Sequence, residues 1–313
     1  MFGRKQASEA GATPGPVPVG AGAWPWLLLA PSFIVLFAVG VYPLLYSLWI
    51  SLHDYHPTNP SFPQGFIGLD NYVKAFGDEQ ALHALGLTAL FTFASVSLSL
   101  ITGLGLALLL NARLPGLALI RALVLIPMLV TPIVVGITWR IMFNSELGVV
   151  NYLTGLVGLA PQPWLGSEQQ ALACVIFVDV WEWMPFMFLI LFAGLRSLPK
   201  SPFEAAAIDG AGRFRVFFSI TLPMLQPVIV LAVLLRGVDA ARTFDQVFMM
   251  TRGGPNLVTD FASLYLQRVN FKFFDVGYGA ALSWLFLLLL LLAVIAFIRY
   301  TGFVRHVAQE APA

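Results

Sequence analysis

One cysteine in 313 residues, Cys174, excludes a disulfide framework, and its place inside an apolar run marks a buried structural thiol. Charge is also scarce. Lys, Arg, Asp and Glu make up 11% of the chain, against about 25% in an average soluble domain. The net charge of +1 is uninformative about nucleic acid, and no basic run of the kind that tracks phosphates gives a reason to expect it as a partner. Reactive constellations are missing too. The one Lys-Ser pair, Lys200-Ser201, follows Pro199 instead of glycine, so the chain carries no Walker loop for ATP. G-x-S-x-G, H-E-x-x-H and paired-cysteine patterns are absent, so no catalytic site is expected. His53, His56, His83 and His306 lack the carboxylate or cysteine spacing of a metal site and read as solvated loop residues.

Apolar sequence is what the chain has in abundance: 58% of residues are hydrophobic and the mean hydropathy is +0.83. A soluble fold of this size cannot hide that much apolar surface, so lipid must be much of its solvent. Six stretches approach the ~20 residues needed to cross a bilayer: 24–50, 84–110, 118–142, 171–195, 223–248 and 277–299. The expected fold is an all-α membrane protein with six transmembrane helices in a single domain over 24–300. Residues 1–23 are polar and Pro/Gly-rich and read as a disordered cytoplasmic N-terminus without the pattern of a cleavable signal; 301–313 reads as a cytoplasmic tail.

Lys and Arg set the orientation. One set of connections holds Arg4, Lys5, Arg113, Arg121, Arg196, Lys200, Arg213, Arg215, Arg299 and Arg305. The opposite set holds Lys74, Arg252, Arg268 and Lys272. This bias predicts that both termini and the 196–222 connection lie in the cytoplasm. Trp24, Trp26 and Trp49 bracket the first span as interfacial anchors do. Pro127, Pro132 and Pro185 lie within spans and predict kinks, while Gly103 and Gly105 permit close helix approach.

The connection 201–223, "SPFEAAAIDGAGRFRVFFSITLP", differs from its apolar surroundings. Ser201 as N-cap, Pro202 in the first turn and Glu204 at the capping-box position predict a helix start. Gly210 ends that helix after two turns, and an amphipathic segment follows up to Pro223. The result is a helical hook outside the bilayer.

Charges also enter the spans. Arg236, Asp239, Arg242 and Asp245 follow one another at intervals of three in the fifth. Four central, unpaired charges would cost on the order of 10 kcal/mol, so pairing as Arg236–Asp239 and Arg242–Asp245 is expected. Asp179 and Glu182 in the fourth span reach a depth similar to Arg236 and Asp239, which makes pairing across spans geometrically feasible.

The hook carries a resemblance. Glu204-Ala205-Ala206, Gly210, Ile220 and Leu222-Pro223 match EAA-x3-G-x9-I-x-LP, the loop before the penultimate span in permease subunits of binding-protein-dependent ABC importers. "FIGLDNYVKAF" (66–76), "IPMLVTPIVVGITWRIMFNSELGVVNYL" (126–153) and "RGVDAARTFDQVFMMTRGGPNLVTDF" (236–261) resemble the carbohydrate-uptake branch, in its compact six-span form. The resemblance implies a type I importer permease fold. In it the hook is a coupling helix seated in a groove of an ATPase subunit. Glu204, Ala205, Ala206, Asp209, Gly210 and Arg213 would form the docking surface, with Phe203, Phe214 and Phe217 as anchors.

The resemblance further implies that Asp179, Trp181, Glu182, Trp183, Arg236, Asp239 and Arg242 line a sugar pathway. The alternative is that the charges lock helices together or bind the second permease subunit. Gly253, Gly254 and Pro255 form a turn implied to meet an extracytoplasmic substrate-binding protein. The implied assembly, in a bacterial cytoplasmic membrane, has this chain, a second and different permease chain, two ATPase subunits and the binding protein. ATP and magnesium are held in the ATPases, no cofactor in this chain, and the implied cargo is a di- or oligosaccharide. An autonomous ion-coupled carrier or channel is the competing reading, and a membrane-anchored enzyme or assembly factor a third.

Overall fold

The computed structural model describes residues 24–58, 64–112 and 116–302, and the chain divides into two compact units, 1–47 and 48–313. The N-terminal segment 1–23, Arg113 and the tail beyond 302, with Arg305 and His306, lie outside the described residues.

In the first unit, α1 (Trp24–Val35) passes through a π-helical turn, Leu36–Val41, into α2 (Tyr42–Ser51), whose last residues belong to the second unit. No charged residue interrupts this segment, and the Tyr42 N–H bonds to the Phe37 carbonyl in the wider i→i−5 pattern of a π turn.

The second unit opens with a two-stranded antiparallel pair, β1 (His53–Asp54) and β2 (Gln64–Phe66), and the short α3 (Asp70–Phe76). His53 is buried, not solvated as expected. Its Nδ1 lies 2.7 Å from the Trp49 carbonyl oxygen, and its ring stacks on Trp49 and packs edge-on to Phe66.

The central elements are α4 (Glu79–Leu110), α8 (Glu168–Ser197) and α11 (Leu222–Ala241). Ser95 faces Asp179, and Gly103 faces Met187 and Phe188, so α4 and α8 run parallel. Gly194 on α8 packs on Leu225 and Val228, which runs α11 antiparallel to both. The glycines permit this closeness. A Cβ on Gly103 would stand 2.7 Å from the Met187 Cβ, and one on Gly194 would stand 2.9 Å from the Leu225 Cδ1. Gly105 has no neighbour within 4 Å and takes no part. Phe91, Val175, Met187, Phe188, Leu191 and Leu225 fill the core between the helices, and Cys174 is buried beside them.

The last helix, α14 (Val276–Thr301), joins a smaller cluster in which Ala81 and Ala84 meet Tyr278, Leu282 and the Tyr265 and Val269 of α13 (Ala262–Phe271). Asp78 ties this cluster together. Its carboxylate caps α4 through the N–H groups of Gln80 and Ala81, at 2.9 and 3.1 Å, and accepts the hydroxyls of Tyr265 and Tyr278, each at 2.5 Å. Burial pushes the Asp78 carboxyl up, but these four hydrogen bonds to its ionised form outweigh that and hold it below its ordinary value.

Among the described residues, five helical stretches are long and apolar enough to cross a membrane: 26–51, 79–110, 168–197, 213–241 and 276–301. Two of the expected spans are not continuous. Over 118–142 the chain forms α5 (Leu117–Val124), a 3₁₀ turn at Pro127–Leu129 and α6 (Pro132–Met142), and the short α7 (Val149–Leu156) follows before α8. Proline has no N–H to donate and disfavours the α conformation just before it; Thr131, ahead of Pro132, is extended. Over 223–248, α11 stops at Ala241 and α12 (Asp245–Met250) begins afresh. There Arg242 and Thr243 close the helix with i→i−3 bonds, and the Thr243 carbonyl accepts the Ser263 hydroxyl at 2.5 Å. The two interrupted pieces then pack together: a Cβ on Gly136 of α6 would lie 2.7 Å from the Gln246 carbonyl oxygen of α12.

Candidate functional site

The hook contains α9 (Ser201–Ile208). Lys200, not Ser201, is its N-cap. The Lys200 carbonyl accepts the N–H groups of Phe203 and Glu204 at 3.0 Å, and no side chain caps the helix. At the other end Gly210 has φ +66°, the left-handed conformation that favours glycine. The Ala211 N–H reaches the Ala206 carbonyl at 2.9 Å and the Gly210 N–H reaches Ala207 at 3.2 Å. This pair of bonds is the Schellman closure, so Gly210 is needed for the bend itself.

After Gly212 the chain enters α10 (Arg213–Val216), a π-helical turn, Phe217–Thr221, and then α11 without a break. The far arm of the hook is therefore the first part of a spanning helix rather than a separate amphipathic segment. Ala206 is buried, whereas Glu204, Ala205, Asp209, Gly210 and Arg213 are exposed. Neither Glu204, Asp209 nor Arg213 forms an ion pair among the described residues. Of the aromatic residues expected to anchor the hook, Phe203 and Phe217 are half-buried; Phe214 is 83% exposed and Ile208 88% exposed. The bend thus presents two large apolar side chains beside three unpaired charges.

Between the helices lies a polar knot. Arg236 on α11 pairs with Asp179 on α8, which also accepts the hydroxyl of Ser95 on α4. A second guanidinium nitrogen meets Asp239 at 3.0 Å, and the guanidinium carbon sits 5.1 Å from the centre of the Trp183 ring. Ser95 joins the knot without having been legible in the sequence, since an isolated serine in an apolar helix carries no pattern. Asp179, Glu182 and Arg236 are each 1% exposed, while the Asp239 side chain is 42% exposed. The Glu182 Oε2, the Arg236 Nε and the Ser99 Oγ are buried without a partner among the described residues.

The other expected pathway residues separate from the knot. Trp181 is two positions from Trp183, about 200° around the helix, and stacks edge-on with Trp139 of α6 at 5.4 Å. Arg242 does not pair with Asp245, because the break after Ala241 removes the i, i+3 geometry that the pairing required. Arg242 instead stands exposed at one end of an apolar cleft of about 860 Å³ between α4, α11, α13 and α14.

Gly253, Gly254 and Pro255 lie in a tight turn with a cis Gly254–Pro255 bond and left-handed conformations at Arg252, Gly253, Asn256 and Leu257. Thr259 holds it, its hydroxyl paired with that of Thr251 at 2.7 Å and donating to the Gly254 carbonyl at 2.8 Å. Gly253 itself is buried, since a Cβ there would lie 2.9 Å from the Asp260 Oδ1. Arg252 and Asn256 form the exposed shoulders of the turn, and Asn256 bonds to Glu168 at the start of α8. Burial raises the Asp260 carboxyl above its ordinary value, with Arg268 pulling against that rise.

A family model described as "Binding-protein-dependent transport system inner membrane component" matches residues 96–309. The chain is 39% identical over 280 residues to the trehalose/maltose transport system permease protein MalF of Thermococcus litoralis, covering 90% of this chain and 94% of that protein. It is 36% identical over 287 residues to the trehalose transport system permease protein SugA of Mycobacterium tuberculosis, covering 92% and 89%. To the sn-glycerol-3-phosphate transport system permease protein UgpA of Escherichia coli it is 34% identical over 295 residues, covering 92% and 98%. Among solved structures, a chain of a bacterial ABC transporter involved in the import of the polysaccharide alginate superposes with a TM-score of 0.78 at 20% identity, over 90% of this chain and 96% of that one.

Proposed function

Because this chain belongs to the family of binding-protein-dependent transport system inner membrane components, we propose that it forms one half of a carbohydrate pathway driven by separate ATPase subunits. The observation that carries the reading is the hook. It is a short helix between two spanning helices, closed by a glycine, with Glu204, Asp209 and Arg213 unpaired and Ile208 and Phe214 exposed. A partner groove that accepts Ile208 and Phe214 buries apolar area and supplies counter-charges, as protein interfaces commonly do. The chain has no Walker loop, so ATP and magnesium belong to the docked subunits, two per complex, and no cofactor belongs to this chain.

A second, different permease chain completes the pathway. Asp179 and Arg236 are buried, Asp239 is the open edge of the knot, and the cleft is apolar, so a polar route requires a facing surface from another chain. An extracytoplasmic binding protein delivers the cargo to the end that holds the Gly253–Pro255 turn. The hook end carries Arg121, Arg196, Lys200, Arg213, Arg215 and Arg299, and this excess of positive charge supports an orientation with the hook and both termini in the cytoplasm of a bacterial cell. The relatives named for trehalose, maltose and glycerol-3-phosphate support a sugar or sugar-derived cargo of mono- to oligosaccharide size.

The test is uptake in cells or vesicles carrying Glu204→Lys or Gly210→Trp, with chain in the membrane quantified alongside. Uptake lost at unchanged membrane abundance supports coupling through the hook; full uptake in both variants overturns it. Purification in mild detergent separates the readings further. Recovery with an ATPase, a second permease and a binding protein fits an importer, and recovery of the chain alone with ion-driven uptake fits an autonomous carrier.

A further inference from the structure

The two helices that flank the hook are fastened to each other at two places, and Pro185 lies between them. Near the hook, Gly194 of α8 packs directly on Leu225 and Val228 of α11, and Met187 and Phe188 meet Gly103 of α4. These close contacts all fall on the hook side of Pro185. Pro185 is buried within α8 and, lacking an N–H, leaves out the bond to the Trp181 carbonyl, which is where a helix bends most easily. Beyond it, among the described residues, the directional attachments of α8 to its two neighbours converge on the Arg236–Asp179 pair: Asp179 bonds to Arg236 on α11 and to Ser95 on α4, and the ring of Trp183 lies against the same guanidinium. The remaining contacts there include Val175 and Val178 in the apolar core, which hold distance but not register.

The far half of α8 also has somewhere to send a displacement. Phe177 and Trp181 both stack on Trp139 of α6, and α6 is seated by Gly136 on α12. Those are the two interrupted elements of the fold. α12 follows α11 after three residues and can be moved by the chain itself, but a movement carried by α8 alone that died at Pro185 would not reach α6.

We propose that the Arg236–Asp179 pair is a transmission clamp: it carries displacement of the hook, delivered along α11, past the weak point at Pro185 into the far half of α8, and from there through Trp181 to α6. Arg236 and Asp179 are positioning residues in this scheme and touch no cargo. The inference rests on the reading of the chain as an ATPase-coupled permease.

The experiment uses the complete transporter, this chain with its partner permease, ATPases and binding protein, in proteoliposomes. ATP hydrolysed and cargo accumulated are measured in the same vesicles. Arg236→Gln should lower cargo moved per ATP by roughly tenfold while hydrolysis stimulated by the binding protein persists, and Arg236→Lys should restore most of the ratio. The double variant D179N/R236Q leaves neither charge uncompensated and should show the same fall, which guards against a misfolded single variant. Pro185→Ala, added to R236Q, should recover the ratio, because a helix with its full set of backbone hydrogen bonds no longer needs the clamp. An unchanged ratio, a proportional fall of hydrolysis and uptake together, or no recovery with Pro185→Ala would each overturn the clamp. Failure of the permease reading would look different: wild-type vesicles would show no ATP-dependent uptake at all.

Discussion

Arg236 reaches from α11 across to Asp179 on α8, and the two side chains are each 1% exposed. Removing Asp179 leaves the buried Arg236 with only the half-exposed Asp239 as partner, at a cost approaching the ~3–5 kcal/mol of a broken buried pair. Asp179→Ala should therefore lower thermal stability in detergent far more than Asp239→Ala. The Asp239 side chain is 42% exposed, and a pair that open to solvent contributes about 1 kcal/mol or less. Equal losses in melting experiments on the two variants would contradict the assignment of depth.

The glycine crossings make a second prediction. Valine at Gly103 or Gly194 places a Cβ within 2.9 Å of a neighbouring helix and should destabilise by about 1–3 kcal/mol. Gly105→Ala, with nothing within 4 Å, should be neutral or mildly stabilising. The three melting temperatures, measured side by side, check this.

Asp78 gives a pH dependence with a definite sign. Its folded-state value lies below the ordinary one, so its contribution is complete above the unfolded value of about 3.9 and is lost as pH falls through the folded value. Asp78→Asn should cost about 1.5–3 kcal/mol at neutral pH, and the gap from wild type should narrow as pH falls below about 4. Stability-versus-pH curves of the two proteins in detergent would show a constant gap if the carboxylate were not the cause.

Trp181 and Trp183 should behave differently despite their proximity in sequence. Trp181 is half-buried like Trp183 but packs edge-on with Trp139 against the core, so Trp181→Ala should destabilise clearly, though by less than the ~3–5 kcal/mol of a fully buried tryptophan. Trp183 is half-buried and lies against Arg236, so Trp183→Leu, which keeps apolar bulk, should leave the melting temperature within a few degrees of wild type. The comparison is made by thermal unfolding of both variants.

Much of this architecture was legible in the sequence because lipid imposes a strong filter. Four of the six expected spans, 24–50, 84–110, 171–195 and 277–299, coincide with continuous helices to within about five residues; the fifth, expected at 223–248, begins ten residues earlier and stops at Ala241, and the pairing of Arg236 with Asp239 is as expected. What the sequence concealed follows from tertiary context. Pro127 and Pro132 read as kinks within one span, but the span is interrupted there: α5 ends at Val124, Pro127 opens a 3₁₀ turn and Pro132 starts α6 as a new helix. The stop after Ala241 has no proline or glycine to announce it; Ser263, twenty residues on, supplies the bond to the freed Thr243 carbonyl. Ser201 looked like a cap, yet the helix begins one residue earlier. The hook itself was recognisable from spacing, while its exposed Ile208 carried no motif and emerged from the backbone alone.

The π-helical turn at Phe217–Thr221 lies between the hook and the body of α11. Each residue of an α-helix advances its face by about 100°, and a π turn accommodates an additional residue without breaking the rod. The azimuth at which the hook leaves the membrane is therefore written in a single residue's worth of chain. Deleting one position there would leave composition, hydropathy and both flanking helices as they were, yet swing Glu204 and Ile208 toward a different quadrant of whatever they meet.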